Sequence, residues 1–237
     1  MTILPHTPPG DRLQPIMLAV LPLVTIGFTG ILSLSPGNFF QPYFGPLHPL
    51  FAVVLISVLG VASLRILSSR GWFAIFRSRE SLRGVLLSTT VATLFAVAVI
   101  AVDLHIAFLY RHVPPPESLL FYPAMAYVAE IVFHTLPLSL LLIALPSLFK
   151  ALDSNRLIWW CIHFVSLLEP IFQLVGEFSK GSFSWTDAYV GLHVLAFNLL
   201  QLYVFRRYDF LSMYAFRLVY YIEWHIAWGA VRPYVLS

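Results

Sequence analysis

Glu130 and His134 lie in the middle of one of the longest apolar stretches of the chain, Leu119–Phe149. A carboxylate and an imidazole are costly in hydrocarbon unless a partner group or a water-filled pocket meets them. Their spacing of four residues places both side chains on the same face of a helix. A buried glutamate can act as a general base, and the histidine beside it can orient it, share its proton or bind a metal ion. The pair is therefore the first candidate for a functional site.

Polar pairs with the same spacing recur in later apolar segments, and they are Glu169 with Gln173, Arg217 with Tyr221, and Tyr221 with His225. Two more polar residues, His193 and Asn198, lie in a further apolar segment. Ionisable groups at membrane depth are functional-site candidates by default. We expect Arg217 to stabilise an oxyanion or a substrate carboxylate, with Gln173 and Tyr221 as hydrogen-bond donors. The catalytic candidates are Glu130, His134, Glu169, Gln173, Arg217, Tyr221 and His225.

The composition excludes a soluble globular protein. The 237 residues are 59% hydrophobic and 11% charged, and the mean hydropathy is +0.83, whereas soluble domains contain about 25% charged residues. The net charge of +3 does not indicate nucleic-acid binding, because the cations lie in short loops between apolar runs. The single cysteine, Cys161, excludes an internal disulfide and a Cys-x-x-Cys metal site.

Seven segments approach the ~20 residues that a helix needs to cross a bilayer. We therefore predict an all-α fold, a polytopic transmembrane helix bundle that forms a single membrane domain over residues 1–237. In the fourth span, Pro137 is expected to kink the helix just after His134. The predicted spans are Leu13–Leu34, Leu47–Leu67, Leu82–Tyr110, Leu119–Phe149, Leu157–Leu174, Trp185–Phe205 and Leu211–Ala230.

The basic residues predict the orientation of these spans. With the N-terminus inside, ten lysines and arginines fall on the inner side and three on the outer side, which follows the positive-inside rule. The C-terminus is then outside, and we expect the cytoplasmic (inner) membrane of a prokaryote, with membrane lipid as a partner. Residues 71–83 are predicted to form an amphipathic helix on an anionic leaflet. Asp103 and His112 are expected to reach lipid headgroups.

Two runs in the second half of the chain follow the spacing of known protease motifs. The run AEIVFH is similar to a motif of two adjacent glutamates and an arginine, whose positions read Ala129, Glu130 and His134 here. The run SLLEPIFQ is similar to a motif in which a histidine follows a phenylalanine by four residues. Those two positions read Glu169 and Gln173.

The closing helix carries a third similarity. Where the motif has a histidine and, four residues later, an asparagine or aspartate, this chain has Arg217 and Tyr221, and His225 matches a further histidine. Together the three runs resemble the CPBP family, the glutamic intramembrane proteases that include CAAX-prenyl endopeptidases. The resemblance covers about residues 117–228, roughly half the chain.

The resemblance implies a membrane-embedded hydrolase. In the family, glutamates and histidines activate a water molecule that attacks a peptide carbonyl inside the membrane, and Glu130 is the one residue of that machinery kept here. The implied activity is that of an intramembrane peptidase with altered catalytic residues. Its implied substrate is a membrane-embedded peptide or protein.

Two other classes of function remain open. A non-enzymatic binding or assembly protein of the membrane would keep the fold without the chemistry, and Glu130 with His134 would then fix helix packing. An intramembrane metal-binding protein would use a divalent metal as its cofactor. The metal-ligand candidates are Glu130, His134, His193 and His225.

Overall fold

The computed structural model describes residues 13–77, 80–108, 112–148, 153–178 and 184–236. Within these ranges the regular structure is helical and no strand is present. The first four helices are α1 (Leu13–Ser33), the short α2 (Gln41–Phe44), α3 (Pro49–Ser69) and α4 (Ser81–Ile106). After them come α5 (Ser118–Ala129), the π-helical segment π1 (Glu130–Thr135), α6 (Leu136–Leu148), α7 (Ser154–Ser166) and α8 (Leu168–Phe178). The chain ends in α9 (Trp185–Arg207), α10 (Phe210–Tyr221), a second π-helical segment, π2 (Ile222–Trp228), and α11 (Gly229–Val235).

Six helical segments of the described chain are long and apolar enough to cross a membrane, and this confirms the predicted helical membrane bundle. Many of their large apolar side chains are exposed on the outer surface of the bundle, as expected for side chains that face lipid. The six segments are Leu13–Ser33, Pro49–Ser69, Ser81–Ile106, Ser118–Ser147, Ser154–Val175 and Trp185–Arg207.

The seventh predicted span, Leu211–Ala230, is helical but is not one of these six segments. Helix α10, π2 and α11 follow one another without a break over residues 210–235. This helix packs along α4 and also contacts α5 and α9. Its role as a membrane span stays a prediction.

The helix break predicted at Pro137 takes the form of the segment π1. Proline has no backbone N–H to continue the α-helical bonding pattern, and the register shifts just before it. The Leu136 N–H donates to the Ile131 carbonyl, five residues back, and the Thr135 hydroxyl donates to the Glu130 carbonyl at 3.0 Å. Such single-turn π segments occur often at functional sites. Both members of the predicted polar pair lie in π1.

The segment after α3 is not the predicted surface helix. Residues 73–77 form no helix, and Phe73, Ala74 and Ile75 are buried. The carbonyls of Ala74 and Ile75 accept hydrogen bonds from the backbone N–H groups of residues 210 and 211, at 3.0 and 3.4 Å. The prediction was wrong because these apolar residues pack against the start of α10 rather than against lipid.

The main hydrophobic core joins α3, α6, α7, α9 and α10 around the segment π1. Its fully buried members include Leu67, Ile131, Val165 and Phe205. At Gly60 of α3 an added Cβ would lie only 2.7 Å from Cδ1 of Ile131. The close approach of α3 to π1 therefore depends on the absence of a side chain at residue 60, and this contact holds π1 in place.

Candidate functional site

Glu130 lies at the centre of the bundle and is fully buried. One of its oxygens, Oε1, accepts hydrogen bonds from Nε of Arg217 at 2.6 Å and from Nε2 of Gln201 at 2.5 Å. The other oxygen, Oε2, is 2.8 Å from Nδ1 of His134. Both oxygens of the carboxylate are therefore engaged, by groups from π1, α9 and α10.

Arg217 connects this carboxylate to a second one. Its two terminal nitrogens bind the two oxygens of Glu169 at 2.9 and 2.8 Å, the paired geometry in which an arginine holds a carboxylate most strongly. The guanidinium also donates to Gln201 at 3.0 Å and lies within 3.4 Å of Asn198 and Tyr221. One guanidinium thus bridges two carboxylates and is only 2% exposed.

These seven residues form what we call the central network: Glu130, His134, Glu169, Asn198, Gln201, Arg217 and Tyr221. They come from π1, α8, α9 and α10. Ionised groups lose several kcal/mol of hydration on burial, and close pairing with complete hydrogen bonding is what compensates that loss. The network therefore ties these four elements to one another through charged groups that tolerate little displacement.

Only one of the two ring nitrogens of His134 takes part in the network. Its Nδ1 faces Glu130, so a neutral ring that donates there carries its proton on Nδ1. Its Nε2 is buried and has no hydrogen-bond partner among the described residues. Within the described chain, Glu130 is thus the hydrogen-bond partner of the His134 ring, and the role of His134 in orienting it stays a prediction.

The structure brings together five of the seven catalytic candidates: Glu130, His134, Glu169, Arg217 and Tyr221. Gln173 is half-buried on α8 and makes no hydrogen bond to the network within the described chain. His225 lies beyond Tyr221, where its ring stacks on that of Tyr122 at 4.6 Å and meets that of Tyr221 edge-on at 4.8 Å. His225 therefore belongs to an aromatic cluster beside the network rather than to the network itself.

The four metal-ligand candidates do not form one site. No group of three or more His, Cys, Asp and Glu side chains in the described ranges is placed to hold a metal ion. His193 lies among Phe95, Tyr189 and Tyr220, within 3.3–3.4 Å of the two tyrosine hydroxyls. The positive charge beside Glu130 in the described chain is that of Arg217, whose Nε lies 2.6 Å from Oε1 of Glu130.

Gln201 is the member of the network that the sequence analysis missed. Its amide donates to Glu130 and its carbonyl oxygen accepts from Arg217, so it links both charges. It lies three residues after Asn198, on the same face of α9. Two amides at that spacing in an apolar helix were the signal that could have identified it.

Asp103 does not reach the headgroups as predicted. It is fully buried and accepts hydrogen bonds from Nε of Arg232 at 2.6 Å and from the indole of Trp228 at 2.7 Å. The backbone N–H of Phe108 donates to it at 2.8 Å. The carboxylate turns inward because these donors from the last helix meet it, and it fastens the end of α4 to π2 and α11.

His112 lies beside this cluster and is neutral at pH 7. The pKa of His112 is lowered to about 4, first by burial of the ring and then by the positive charge of Arg232, while Asp103 opposes the shift. The ring packs 5.5 Å from that of His225 and 5.3 Å from that of Trp224. Protonation at this position would therefore disturb the packing of the last helix.

A third cluster lies at the opposite end of the last helix. Asp209 caps α10 by accepting from the backbone N–H of Ser212 at 2.8 Å. Its other oxygen accepts from the Arg77 backbone N–H at 3.0 Å and from the Ser81 hydroxyl. The start of α10 is thereby fixed to the start of α4.

No family model, curated protein or solved structure matches this chain. The fold and the site therefore define its class by themselves. It is an integral membrane protein of helical architecture with a charged, hydrogen-bonded network in its interior.

Proposed function

We propose that this chain is a non-enzymatic membrane protein, of the binding or assembly class, built on a bundle that resembles the CPBP proteases. In this proposal the residues at the protease-motif positions have become a structural network. That network stabilises one arrangement of the helices, and the protein acts through the surface that this arrangement presents.

One observation carries the proposal, namely that every carboxylate oxygen of Glu130 and Glu169 already has a close partner. Arg217, Gln201 and His134 take up the oxygens of Glu130, and Arg217 takes up both oxygens of Glu169. A general base must present a free lone pair to the proton that it removes. In this arrangement three of the about four acceptor positions of the Glu130 carboxylate are filled, and the remaining one belongs to a fully buried oxygen.

A membrane-embedded hydrolase is the second candidate. It is favoured by the convergence of Glu130, His134 and Arg217, since three separate motif-like runs bring their residues to one place. For turnover, a water molecule would have to reach the buried carboxylate of Glu130, which would activate it as a general base. The substrate would be a membrane-embedded peptide or protein.

The substitution Glu130→Gln separates the two candidates. If Glu130 is a structural residue, Glu130→Gln should lower the stability of the protein, because the NH2 group of the new amide is a donor that faces other donors of the network. The expected loss in the free energy of unfolding is about 2 kcal/mol. If Glu130 is catalytic, Glu130→Gln should have an unchanged or higher thermal midpoint. The variant should also fail to cleave peptides that are reconstituted with it in vesicles. The measurements are the thermal midpoint in detergent and peptide cleavage.

Glu223→Gln is the matched control, since Glu223 lies on the same helix as Arg217 and accepts one hydrogen bond, from Thr93 at 2.7 Å. We expect it to change stability by about 1 kcal/mol or less. Our proposal would be wrong if Glu130→Gln is as stable as this control and if the wild type cleaves a peptide that Glu130→Gln does not cleave. The hydrolase would then be the correct function.

We infer further that residues 210–235 form a seventh span and that the N-terminus is inside. The ten-to-three bias of basic residues and the alternation of the loops support this orientation. A single membrane domain in the inner membrane of a prokaryotic cell is the setting that we propose.

A further inference from the structure

A shallow groove lies on the outward face of α7, away from the central network. Its volume is about 420 Å³, and Arg156, Trp159, Trp160 and His163 line it. Arg156 and His163 are exposed, and Trp160 is 69% exposed. Positions 156, 160 and 163 recur at helical spacing, so they follow one face of the helix. The groove therefore combines one fixed positive charge with two indole rings.

The surroundings of the groove add positive charge. Arg206 of α9 reaches the residue before Arg156: one terminal nitrogen donates to Asn155 at 3.2 Å, and the other donates to the Trp72 carbonyl at 2.5 Å. The guanidinium of Arg70 lies 5.7 Å from the centre of the Trp72 ring. Asp153 is the acidic residue at the start of α7, and its carboxylate accepts hydrogen bonds from the backbone N–H groups that follow it in this helix. The net charge here is positive.

An apolar track continues from the groove along α7. Phe164 is 56% exposed and Leu167 is 39% exposed, and both follow Trp160 at helical spacing. A positive charge, then indole rings, then an apolar surface is the order in which a phospholipid presents phosphate, glycerol and acyl chain. Tryptophan is also the side chain that prefers the headgroup level of a bilayer.

We propose that this groove binds an anionic phospholipid, with its phosphate at Arg156 and its acyl chain along Trp160, Phe164 and Leu167. In the orientation inferred above the groove faces the cytoplasmic leaflet, where anionic lipids attract basic residues. A zwitterionic lipid offers the same acyl chain without the net charge, so the groove discriminates by charge. The inference is independent of whether the central network is structural or catalytic.

The test is native mass spectrometry of the purified full chain in detergent, titrated with phosphatidylglycerol or with phosphatidylcholine. The wild type should bind one molecule of phosphatidylglycerol per chain, with a higher affinity than it has for phosphatidylcholine. Arg156→Gln should weaken binding of phosphatidylglycerol about fivefold, the effect of one basic side chain at a lipid headgroup. Trp160→Ala should weaken binding of both lipids, and inorganic phosphate should not compete.

Arg83→Gln is the matched control, because Arg83 is also exposed and belongs to α4 rather than to the groove. It should leave the affinity for phosphatidylglycerol unchanged within about twofold, as expected for a charge outside the site. Equal losses in the two arginine variants, or equal affinities for the two lipids, would overturn the proposal. It would also fail if Arg156→Gln altered the oligomeric state without altering lipid binding, since the groove would then be a contact between copies of the chain.

Discussion

Arg217 joins two carboxylates that would otherwise repel each other inside an apolar bundle. It binds Glu130 at 2.6 Å and Glu169 at 2.8 Å, and it is the only arginine or lysine of the central network. Arg217 holds Glu169 through a terminal nitrogen and Glu130 through Nε, while Nδ1 of His134 meets the second oxygen of Glu130. At the scale of single residues, the site is therefore a set of charged groups that depend on one another.

His112 makes a pH-dependent contribution to stability. Its pKa is about 4 in the folded protein and about 6.5 in an unfolded chain, so the unfolded state binds more protons between these values. The contribution of His112 is fully present above pH 6.5 and is lost as the pH falls towards 4. We expect the thermal midpoint to fall between pH 7.5 and pH 5, and to fall less in His112→Gln. An equal fall in the variant would show that other groups are responsible.

The segment π1 is the element that aims Glu130 and His134 into the bundle. Pro137 interrupts the α-helical bonding pattern beside it, and Ile131 of π1 packs against α3 where residue 60 has no side chain. A π-helical turn rotates the following residues relative to an uninterrupted α-helix. The geometry of the network thus depends on a tight contact between two helices that carry no charge at that point.

Gly60→Ala should disrupt this contact. The new Cβ would lie 2.7 Å from Ile131 Cδ1, and the strain of overpacking is expected to cost about 1–3 kcal/mol. The double variant Gly60→Ala/Ile131→Val removes that methyl group and should recover part of the loss. The measurement is the thermal midpoint of each variant in detergent.

Gly27→Ala is the control for helix propensity, because an added Cβ at residue 27 of α1 meets nothing within 4 Å. It should leave the protein as stable as the wild type or stabilise it by up to about 1 kcal/mol. If Gly60→Ala behaves like Gly27→Ala, the close packing of α3 on π1 does not position the network.

In the whole molecule, the final helix (residues 210–235) is fixed to the rest of the bundle at three points along its length. Asp209 fixes its start, Arg217 its middle and Arg232 its end. The helix is not among the six strongly apolar segments, since it carries charged residues whose partners lie inside the protein. Its hydropathy is lower because it contributes polar contacts to the interior, and its role as a seventh span belongs to our proposal.

The inferred topology can be tested with reporter fusions. A fusion at Ser237 should report an outer location, and fusions in the loops after α3 and after α9 should report an inner one, because the basic residues concentrate there. An inner location at Ser237 together with inner locations at both loops would show that residues 210–235 do not cross the membrane.

The sequence predicted the elements better than it predicted their contacts. Residues that are close in the sequence are enough to identify the long apolar runs and the four-residue spacing of Glu130 and His134. The helices and the pairing of these two side chains that were predicted from them agree with the structure. The burial of Asp103 depends on Arg232, a residue far along the chain that no local pattern connects to it. His193 and His225 pack against aromatic rings of other helices, Phe95 and Tyr122, and local patterns in the sequence do not specify these contacts.

The most direct test of the central claim is a double-mutant cycle between Glu130 and Arg217. The free energy of unfolding would be measured for the wild type, Glu130→Gln, Arg217→Met and the double variant. Breaking a buried ion pair from one side costs about 3–5 kcal/mol, so we expect a large loss in Arg217→Met. We also expect a coupling energy of about 2 kcal/mol or more between the two sites. Effects that add to within about 0.5 kcal/mol would contradict a structural network that depends on this pair.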